Sequence, residues 1–322
     1  AAAGYLAYPT FFELDATNAG DLTVTATATG EDNVGASAVG IAAGGSVVEG
    51  TVLNAAGGTI NVVAQVTGGT PNEYPVLDGE DIVTEYVGVD SARAVGIQLS
   101  GAEVTATVTN NGVIHVTAIN DGAAATQTYY GWDNIAAVAT GIRIDGGGLS
   151  VSSVDNLGAF DIDPVHATIN NSSEMVVQVI NNGVISYGNV INVEEAPNAV
   201  QINLLGGGNL WGNIELGDDL PNPDAEVLGE SNDISRDYIT VSGGRTSFEG
   251  YINADQDLNG TLEIASTGDL FLRDNRSEGG ISPEYIGPSR AYVNEFNMAA
   301  AGKLTLALDI NNPSNPSQGS EH

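Results

Sequence analysis

The sequence contains no cysteine, a single lysine and only 6% aromatic residues. Without cysteine the fold has no disulfides, and this absence suits a chain that crosses a cell envelope unfolded. No stretch reaches the roughly 18 to 20 consecutive apolar residues that a membrane-spanning helix needs. The start, Ala1-Ala2-Ala3-Gly4, has neither the basic nor the apolar region of a signal peptide. We therefore expect any signal peptide to have been removed already.

Positive charge is also scarce, because 41 acidic residues stand against 8 basic ones and the formal net charge is −33. Such a surface repels nucleic-acid phosphates and anionic membranes, so the sequence predicts no nucleic-acid partner. Two interpretations of the acidity remain open. The carboxylates either keep a solvated surface soluble, or they form divalent-cation sites that stabilise the fold.

Glycine is abundant, with 42 residues, and β-branched side chains occur in alternating runs. The clearest example lies within residues 94–120, where an Asn-Asn-Gly corner precedes the alternating run from Val113 to Ala118. Alternation places apolar side chains on one face of a strand. Asn-Gly supplies the positive φ that a tight corner needs. This stretch therefore predicts strand, corner and strand, with no helical period.

Two patterns recur along the chain. Ala-Val-Gly-Ile occurs at 38–41 and 94–97, with looser echoes at 137–142 and 199–202. Roughly four copies of a second pattern, a glycine followed by alternating large apolar residues, would arise by chance. Ten copies occur, which indicates repetition, and they begin at Gly20, Gly58, Gly112, Gly147, Gly158, Gly183, Gly212, Gly260, Gly268 and Gly302.

A recurring strand with a fixed corner, in units of about 20 to 27 residues, is typical of a solenoid. Each unit buries its apolar stripe only when it stacks on the next, so inward Ile, Val and Leu residues would form ladders along one axis. We therefore predict an all-β fold, a parallel β-helix (β-solenoid) with loop excursions and an N-terminal cap. The alternative is a β-sandwich, which also has short strands and Gly/Asn turns but no fixed relation between distant strands.

Changes of composition divide the chain into segments. The first residues hold four aromatic side chains, which suits a cap, because an uncovered end coil is an unpaired edge. The last residues are rich in Pro, Ser and Asn and suit a linker. The predicted segments are the cap at 1–14, repeats at 15–216 with excursions at 66–93 and 121–134, an acidic excursion at 217–235, C-terminal β-helix or hairpin rungs at 236–310, and the linker at 311–322.

The C-terminal segment carries a resemblance to a known family. Residues 238–249 (YITVSGGRTSFE), 260–272 (GTLEIASTGDLFL) and 292–309 (YVNEFNMAAAGKLTLALD) resemble the end of the passenger domain of bacterial autotransporters. The upstream units, from residue 15 onward, are also similar to passenger rungs. The resemblance implies a right-handed, three-sided parallel β-helix displayed outside a Gram-negative cell. The family's membrane barrel is not found in these residues, so membrane attachment is expected only through a C-terminal barrel that this sequence lacks.

The resemblance also implies a class of function. Passengers commonly serve in adhesion, aggregation or carriage of an effector, and those with protease activity carry a Gly-Asp-Ser-Gly motif that is absent here. We therefore expect a non-enzymatic structural or adhesive protein, secreted from a Gram-negative bacterium or held at its surface. The expected partners are further copies of the chain, with calcium assisting their association, and a glycan or other surface ligand.

Two alternatives of a different class remain. The first is a β-helical lyase or hydrolase of polysaccharides, because Gly217-Asp218-Asp219 is similar to the Gly-Asp-Asp of polygalacturonases, whose paired aspartates act as acid and base. The supporting His-Gly and Arg-x-Lys elements are missing, and a turn is the simpler interpretation. The second alternative is an array-forming surface coat protein.

The best local candidate for a metal site has Asp255, Asp257 and Asn259 at alternate positions before a glycine. This spacing places three side-chain oxygens around a turn, as calcium requires. Glu263, at the ninth position, would complete a calcium loop between strands, whereas Ser266 at the twelfth position excludes an EF-hand. The motif predicts either a calcium site or an acidic polar turn, and no other cofactor is expected.

The second candidate site is aromatic. Tyr129, Tyr130 and Trp132 lie in one excursion, where they would either stack on sugar rings or cover the flank of the rod. His115 alternates with apolar neighbours and should face outward, and His166 should lie at a corner. Neither histidine has a second histidine or a cysteine nearby to complete a zinc site.

Overall fold

The computed structural model describes residues 11–30, 34–68, 72–78, 81–87, 91–122, 137–146, 167–181, 183–196, 199–217, 237–254, 259–273 and 289–306. All regular elements in these ranges are β-strands. In chain order they are β1 Phe11–Asn18, β2 Asp21–Gly30, β3 Gly35–Gly44, β4 Val47–Asn54, β5 Thr59–Gly68, β6 Asn72–Asp78, β7 Asp81–Val87, β8 Ser91–Ser100, β9 Glu103–Asn110, β10 Val113–Gly122, β11 Ala137–Asp145, β12 Ala167–Asn171, β13 Glu174–Asn181, β14 Val184–Tyr187, β15 Asn189–Asn192, β16 Val200–Leu205, β17 Asn209–Trp211, β18 Asn213–Glu215, β19 Tyr238–Ser242, β20 Gly244–Glu249, β21 Tyr251–Ile252, β22 Thr261–Ile264, β23 Gly268–Leu272, β24 Arg290–Ala291, β25 Glu295–Met298 and β26 Lys303–Leu306.

Three sheets of eight, nine and seven strands form the body of the fold. Sheet A has the order β1-β4-β9-β12-β16-β19-β22-β25, sheet B contains β2-β5-β10-β13-β17-β20-β23-β26, and sheet C runs β24-β21-β18-β15-β11-β8-β3. The chain passes through A, B and C in turn and then returns to A, so each strand pairs in parallel with its counterpart in the next coil. This cyclic order is the arrangement of a β-solenoid, and the β-sandwich alternative is wrong for the described part of the chain.

Two antiparallel pairs depart from this order within the described ranges. Strands β6 and β7 form a hairpin between β5 and β8, inside the segment assigned to the first excursion. Strand β14 folds back beside β13 before the chain continues into sheet C. The hairpin of β6 and β7 inserts extra residues into a coil without interrupting the parallel stacking on either side, whereas β14 takes the edge of β13 beyond Val176 and so limits its parallel pairing with β17.

Apolar side chains form ladders in the space that the three sheets enclose. In sheet C, one isoleucine from each of six consecutive coils occupies the same register position. Burying one such side chain contributes about 1.5–3 kcal/mol, and the ladder therefore fixes the register of the coils. Its members are Ile41, Ile97, Ile142, Ile191, Ile214 and Ile252.

The Ala-Val-Gly-Ile pattern marks a close approach between strands of sheet C and between sheet C and sheet B. Its first two copies lie in β3 and β8, and the echo at 137–142 lies in β11. A Cβ atom on Gly96 would stand 2.5 Å from the carbonyl oxygen of Gly141 in the next coil and 3.1 Å from Cγ2 of Ile114 in sheet B. Glycine is required there because any side chain would force the backbones apart. The echo at 199–202 lies instead in sheet A.

A buried asparagine ladder lines the corner between sheets A and B. Asn18 donates its Nδ2 to Oδ1 of Asn54, Asn54 donates to Asn110, and Asn110 donates to Asn171, each at 2.8 Å. The next four coils carry apolar residues at the same register position. The first half of the solenoid therefore has a polar corner and the second half an apolar one, formed by Leu204, Val241, Ile264 and Met298.

The repeat differs from the sequence expectation in length. Equivalent positions of successive coils are 36 residues apart between Phe11 and Val47, but 23 apart between Tyr238 and Thr261. The unit of about 20 to 27 residues is therefore too short for most coils, because insertions lengthen them. The glycine pattern marks strand starts rather than one fixed corner, since Gly58 precedes sheet B, Gly260 precedes sheet A and Gly183 precedes the antiparallel β14.

Candidate binding surface

The predicted site residues fall largely outside the described ranges. Tyr129, Tyr130, Trp132, Asp255 and Asp257 all lie outside them, as do Asp218, Asp219 and His166. No group of three or more His, Asp or Glu side chains that could hold a metal ion occurs among the residues that the structure describes. The calcium site and the aromatic site in the excursion stay predictions.

Two members of the predicted calcium motif are described. Asn259 accepts a hydrogen bond at its backbone carbonyl from Nδ2 of Asn253, at 3.0 Å. Glu263 is exposed in sheet A, in register with Thr240 of the preceding coil and Asn297 of the following one. Because the motif's two aspartates are not described, the structure gives no distance between the four proposed ligands.

A different aromatic cluster lies where sheet B turns into sheet C. We call it the aromatic corner, and it consists of Tyr187, Trp211, Tyr251 and Glu249. The rings of Tyr187 and Trp211 meet edge to face with centroids 4.7 Å apart, and the ring centroid of Tyr251 lies 6.1 Å from that of Tyr187. The three rings come from three successive coils, so the stacking of the solenoid brings them together.

A buried carboxylate holds the aromatic corner together. Oε1 of Glu249 accepts a hydrogen bond from Nε1 of Trp211 at 2.8 Å and a longer one from the hydroxyl of Tyr187 at 3.5 Å. Glu249 is only 8% exposed, whereas all three rings are half-buried. Hydrogen bonds to a carboxylate are stronger than those between neutral groups, so the rings of Trp211 and Tyr187 are held in fixed orientations.

The departure of β14 from the parallel order builds this corner. Strand β17 pairs only with the first residues of β13, from Glu174 to Val176. The rest of β13 is paired instead by β14, which returns antiparallel and places Tyr187 opposite Gln178. Tyr187 therefore lies beside Trp211, although the two residues belong to different coils.

The sequence contains a signal for these residues beyond the motifs considered above. Each of three consecutive coils has an aromatic or acidic residue immediately before a glycine, in the stretches Tyr187-Gly188, Trp211-Gly212 and Glu249-Gly250. Each pair stands directly before a strand of sheet C. Repeated placement at one corner predicts neighbouring side chains, because equivalent positions stack in a solenoid.

His115 faces outward, as predicted, and contacts a carboxylate that sequence reasoning missed. Its Nε2 lies 2.8 Å from Oε1 of Glu174 in the next coil, and Asn209 of the following coil donates to Oε2 of Glu174 at 3.3 Å. The side chains of His115 and Glu174 are 43% and 41% exposed. A contact this exposed contributes little, typically below about 1 kcal/mol.

An arginine forms hydrogen bonds at another corner, between sheets C and A. Arg143 donates from Nε to Oδ2 of Asp145 at 2.9 Å and from Nη2 to Oε2 of Glu195 at 2.8 Å. Gln98 of the preceding coil also donates to Oδ2 of Asp145, at 3.2 Å. These bonds link three coils and neutralise part of the local acidity, so we assign this cluster a structural role.

Comparisons with known proteins leave the chain without an assigned relative. No protein-family model, no curated protein and no solved structure matches it. Within the described ranges no helix is long and apolar enough to cross a membrane.

Proposed function

We propose that the chain is a non-enzymatic structural or adhesive protein, similar to an autotransporter passenger and displayed outside a Gram-negative cell. The observation that carries this proposal is the continuous apolar column enclosed by three parallel sheets, from the first described coil to the last. Each added coil lengthens the column by about 4.8 Å, so eight coils extend it by about 35–40 Å. Such a column provides reach and a regular surface.

The proposal includes features that follow from the resemblance. The solenoid would be right-handed, and the predicted cap at residues 1–14 would run into its first coil, because residues 11–14 lie in β1. The formal charge of −33 suits a secreted surface that stays soluble at high density. Display on a Gram-negative cell should make the protein accessible to added protease, whereas labelling confined to the cell interior would contradict this localisation.

The adhesive part of the proposal is supported by the aromatic corner. Aromatic rings held in fixed orientations stack on the apolar faces of sugar rings, and their polar tips accept or donate hydrogen bonds to hydroxyl groups. The ring faces of Tyr187, Trp211 and Tyr251 are suited to such stacking, whereas Nε1 of Trp211 already donates to Glu249 and offers no donor to a sugar. We infer that a glycan is the ligand class that this corner fits.

Tryptophan fluorescence tests the glycan proposal, because the chain has only two tryptophans. Trp132→Phe leaves Trp211 as the reporter of the aromatic corner, and Trp211→Phe leaves Trp132 as the reporter of the excursion. We expect a glycan panel to change the emission of the first variant in a saturable way. A saturable change confined to the second variant would place the ligand at Tyr129, Tyr130 and Trp132, and no change in either would refute glycan binding at both.

The non-enzymatic assignment has a direct test. The chain should release no reducing ends and no unsaturated products when it is incubated with pectin, alginate or host glycans. Release of either product would establish the polysaccharide-active alternative instead.

Calcium-assisted association is the remaining part of the proposal, and it rests on the acidity and on the motif that includes Asn259 and Glu263. Millimolar calcium should raise the melting temperature more than magnesium or sodium chloride at equal ionic strength, because a specific site stabilises the folded state by mass action. Asp257→Asn should remove the difference between calcium and magnesium. Equal effects of the three salts would show that the acidic residues are only solvated.

A further inference from the structure

The aromatic corner is followed along the solenoid axis by a cationic side chain. Tyr251 begins β21, and the residue in register with it in the next coil of sheet C is Arg290, the first residue of β24. Neighbouring strands lie about 4.8 Å apart, and register partners in a parallel sheet face the same side. Ile252, the next residue of β21, is buried in the column, so Tyr251 and Arg290 both face outward.

Hydrogen bonds to the preceding coil fix the backbone around Arg290. Its N–H donates to the carbonyl oxygen of Gly250 at 3.2 Å, and the N–H of Tyr292 donates to that of Ile252 at 3.0 Å. The hydroxyl of Ser289, immediately before Arg290, accepts the N–H of Gly250 at 3.2 Å. Arg290 is therefore held beside the corner by the same stacking that brings the aromatic rings together.

The guanidinium of Arg290 has an open edge. Its Nη1 donates to the hydroxyl of Tyr292 at 3.2 Å, and this hydrogen bond raises the pKa of Arg290, so the side chain stays cationic. Its Nε and Nη2 have no acceptor within the described ranges, and together they form an edge that can bind a carboxylate through two parallel hydrogen bonds. Arg143 and Arg245 differ, because each already donates to a carboxylate of this chain.

The charges around Arg290 permit an anion to bind, although the formal net charge is −33. Residues 236–322 hold six of the eight cationic side chains but only 12 of the 41 acidic ones. More distant acidic side chains are screened, since the Debye length is about 8 Å at physiological ionic strength. Two carboxylates of the neighbouring coils are engaged, because Glu249 accepts two side-chain hydrogen bonds and Glu215 accepts the N–H of Ala254.

We propose that the glycan bound at the aromatic corner is acidic, and that Arg290 binds a carboxylate of the sugar whose ring stacks on Tyr251. This inference rests on the proposed glycan binding and names the class of sugar, a uronic acid. The ring face of Tyr251 provides the apolar contact, and the planar guanidinium matches the planar carboxylate. The hydroxyl of Tyr251, which has no partner within the described ranges, is available to a sugar hydroxyl.

The first test compares each acidic glycan with a neutral form of itself. Oligosaccharides of galacturonate, mannuronate and hyaluronan are titrated as acids and as methyl esters, and the emission of Trp211 is followed in the Trp132→Phe variant. At least one acid should bind about tenfold more tightly than its ester, because the ester loses the charge-assisted hydrogen bonds. Tighter binding of dextran sulfate than of every acid would show that the anion is a sulfate and would overturn the uronic-acid assignment.

The second test replaces the cation, with Arg245→Gln as the matched control. Arg290→Gln should weaken binding of the acid about tenfold and leave that of the ester within about twofold. Arg245→Gln removes the same charge from a guanidinium already paired with Asp269, so it should change neither affinity by more than about twofold. Arg290→Lys should recover only part of the affinity, because an ammonium keeps the charge but not the two parallel donors. An unchanged melting temperature of each variant shows that its fold is intact.

The outcomes distinguish this inference from the proposed function. Saturable binding with equal affinities for acid and ester would overturn the acidic-glycan assignment and leave glycan binding in place. Equal losses in Arg290→Gln and Arg245→Gln would do the same, because they would show a general effect of charge. Absence of a saturable change in Trp211 emission with every acid, ester and neutral glycan would refute both.

Discussion

At the scale of single residues, buried polar groups link neighbouring coils through specific hydrogen bonds. Asn54, Asn110 and Asn171 are fully buried, and each satisfies its amide through the equivalent residue of a neighbouring coil. Asn171 ends the ladder by donating to the backbone carbonyl of Ser173. Burying such a group without a partner would cost about 1–3 kcal/mol, so the ladder is stable only as a unit.

The substitution Asn110→Ala tests whether the asparagine ladder is stable only as a unit. It removes the hydrogen bonds to both Asn54 and Asn171, so we expect the free energy of unfolding to fall by roughly 2–4 kcal/mol. Urea denaturation measures the change. Asn297→Ala, at an exposed position, is the control and should change the free energy by less than about 0.5 kcal/mol.

A buried carboxylate has a similar role between coils. Asp237, 4% exposed, accepts the backbone N–H of Val200 at 2.7 Å on Oδ1 and that of Gly217 at 2.8 Å on Oδ2. Asp237→Asn replaces one acceptor by a donor and should lower the free energy of unfolding by about 1–3 kcal/mol. Asp21→Asn, at an exposed position, is the matched control, and equal effects in thermal melts would contradict a special role for Asp237.

At the scale of elements, sheet C depends on a close approach of its neighbouring backbones to one another and of side chains of sheet B to these backbones. Gly96 in β8 has no room for a side chain, whereas a Cβ on Gly44 in β3 would stand 3.7 Å from the carbonyl oxygen of Ser100, which is an ordinary contact. The two glycines lie in adjacent strands of the same sheet. Replacing each of them by alanine therefore separates the effect of steric crowding from the effect of losing a glycine.

Gly96→Ala should destabilise the protein by about 1–3 kcal/mol, because the added methyl group overpacks the interior. Gly44→Ala should be neutral or slightly stabilising, because it reduces the entropy of the unfolded chain. Guanidinium denaturation of the two variants compares them directly. Similar losses of unfolding free energy in both variants would show that there is room for a methyl group at Gly96.

At the scale of the whole molecule, self-repulsion opposes the folded state. A formal charge of −33 on 322 residues concentrates like charges when the chain compacts. Raising the ionic strength from 10 mM to 300 mM shortens the screening length from about 30 Å to below 10 Å. We therefore expect sodium chloride to raise the melting temperature by several degrees, measured by circular dichroism. A fall in melting temperature would show that the exposed ion pairs outweigh the repulsion.

The sequence by itself determined the all-β class and the stacking of equivalent positions. The alternation of apolar residues fixes which side chains of β10 face inward. The recurrence of Ala-Val-Gly-Ile places β3, β8 and β11 in one sheet. Both inferences depend only on the spacing of residues along the chain. His115 was correctly assigned to the outer face for the same reason. The asparagines before Gly20 and Gly112 were visible in the sequence, but their mutual hydrogen bonds exist only between coils.

Only the tertiary structure decided which residues meet across coils of unequal length. Insertions separate Thr107 from its partner Thr168 by 61 residues, whereas Tyr238 and Thr261 are 23 apart, so sequence distance does not predict the pairing. The antiparallel return of β14 brings Tyr187 to Trp211, and no local pattern encodes that reversal. The exposure of Phe296 and Leu304 is likewise a property of the stack, because a side chain in the inward register is buried only when another coil lies above it.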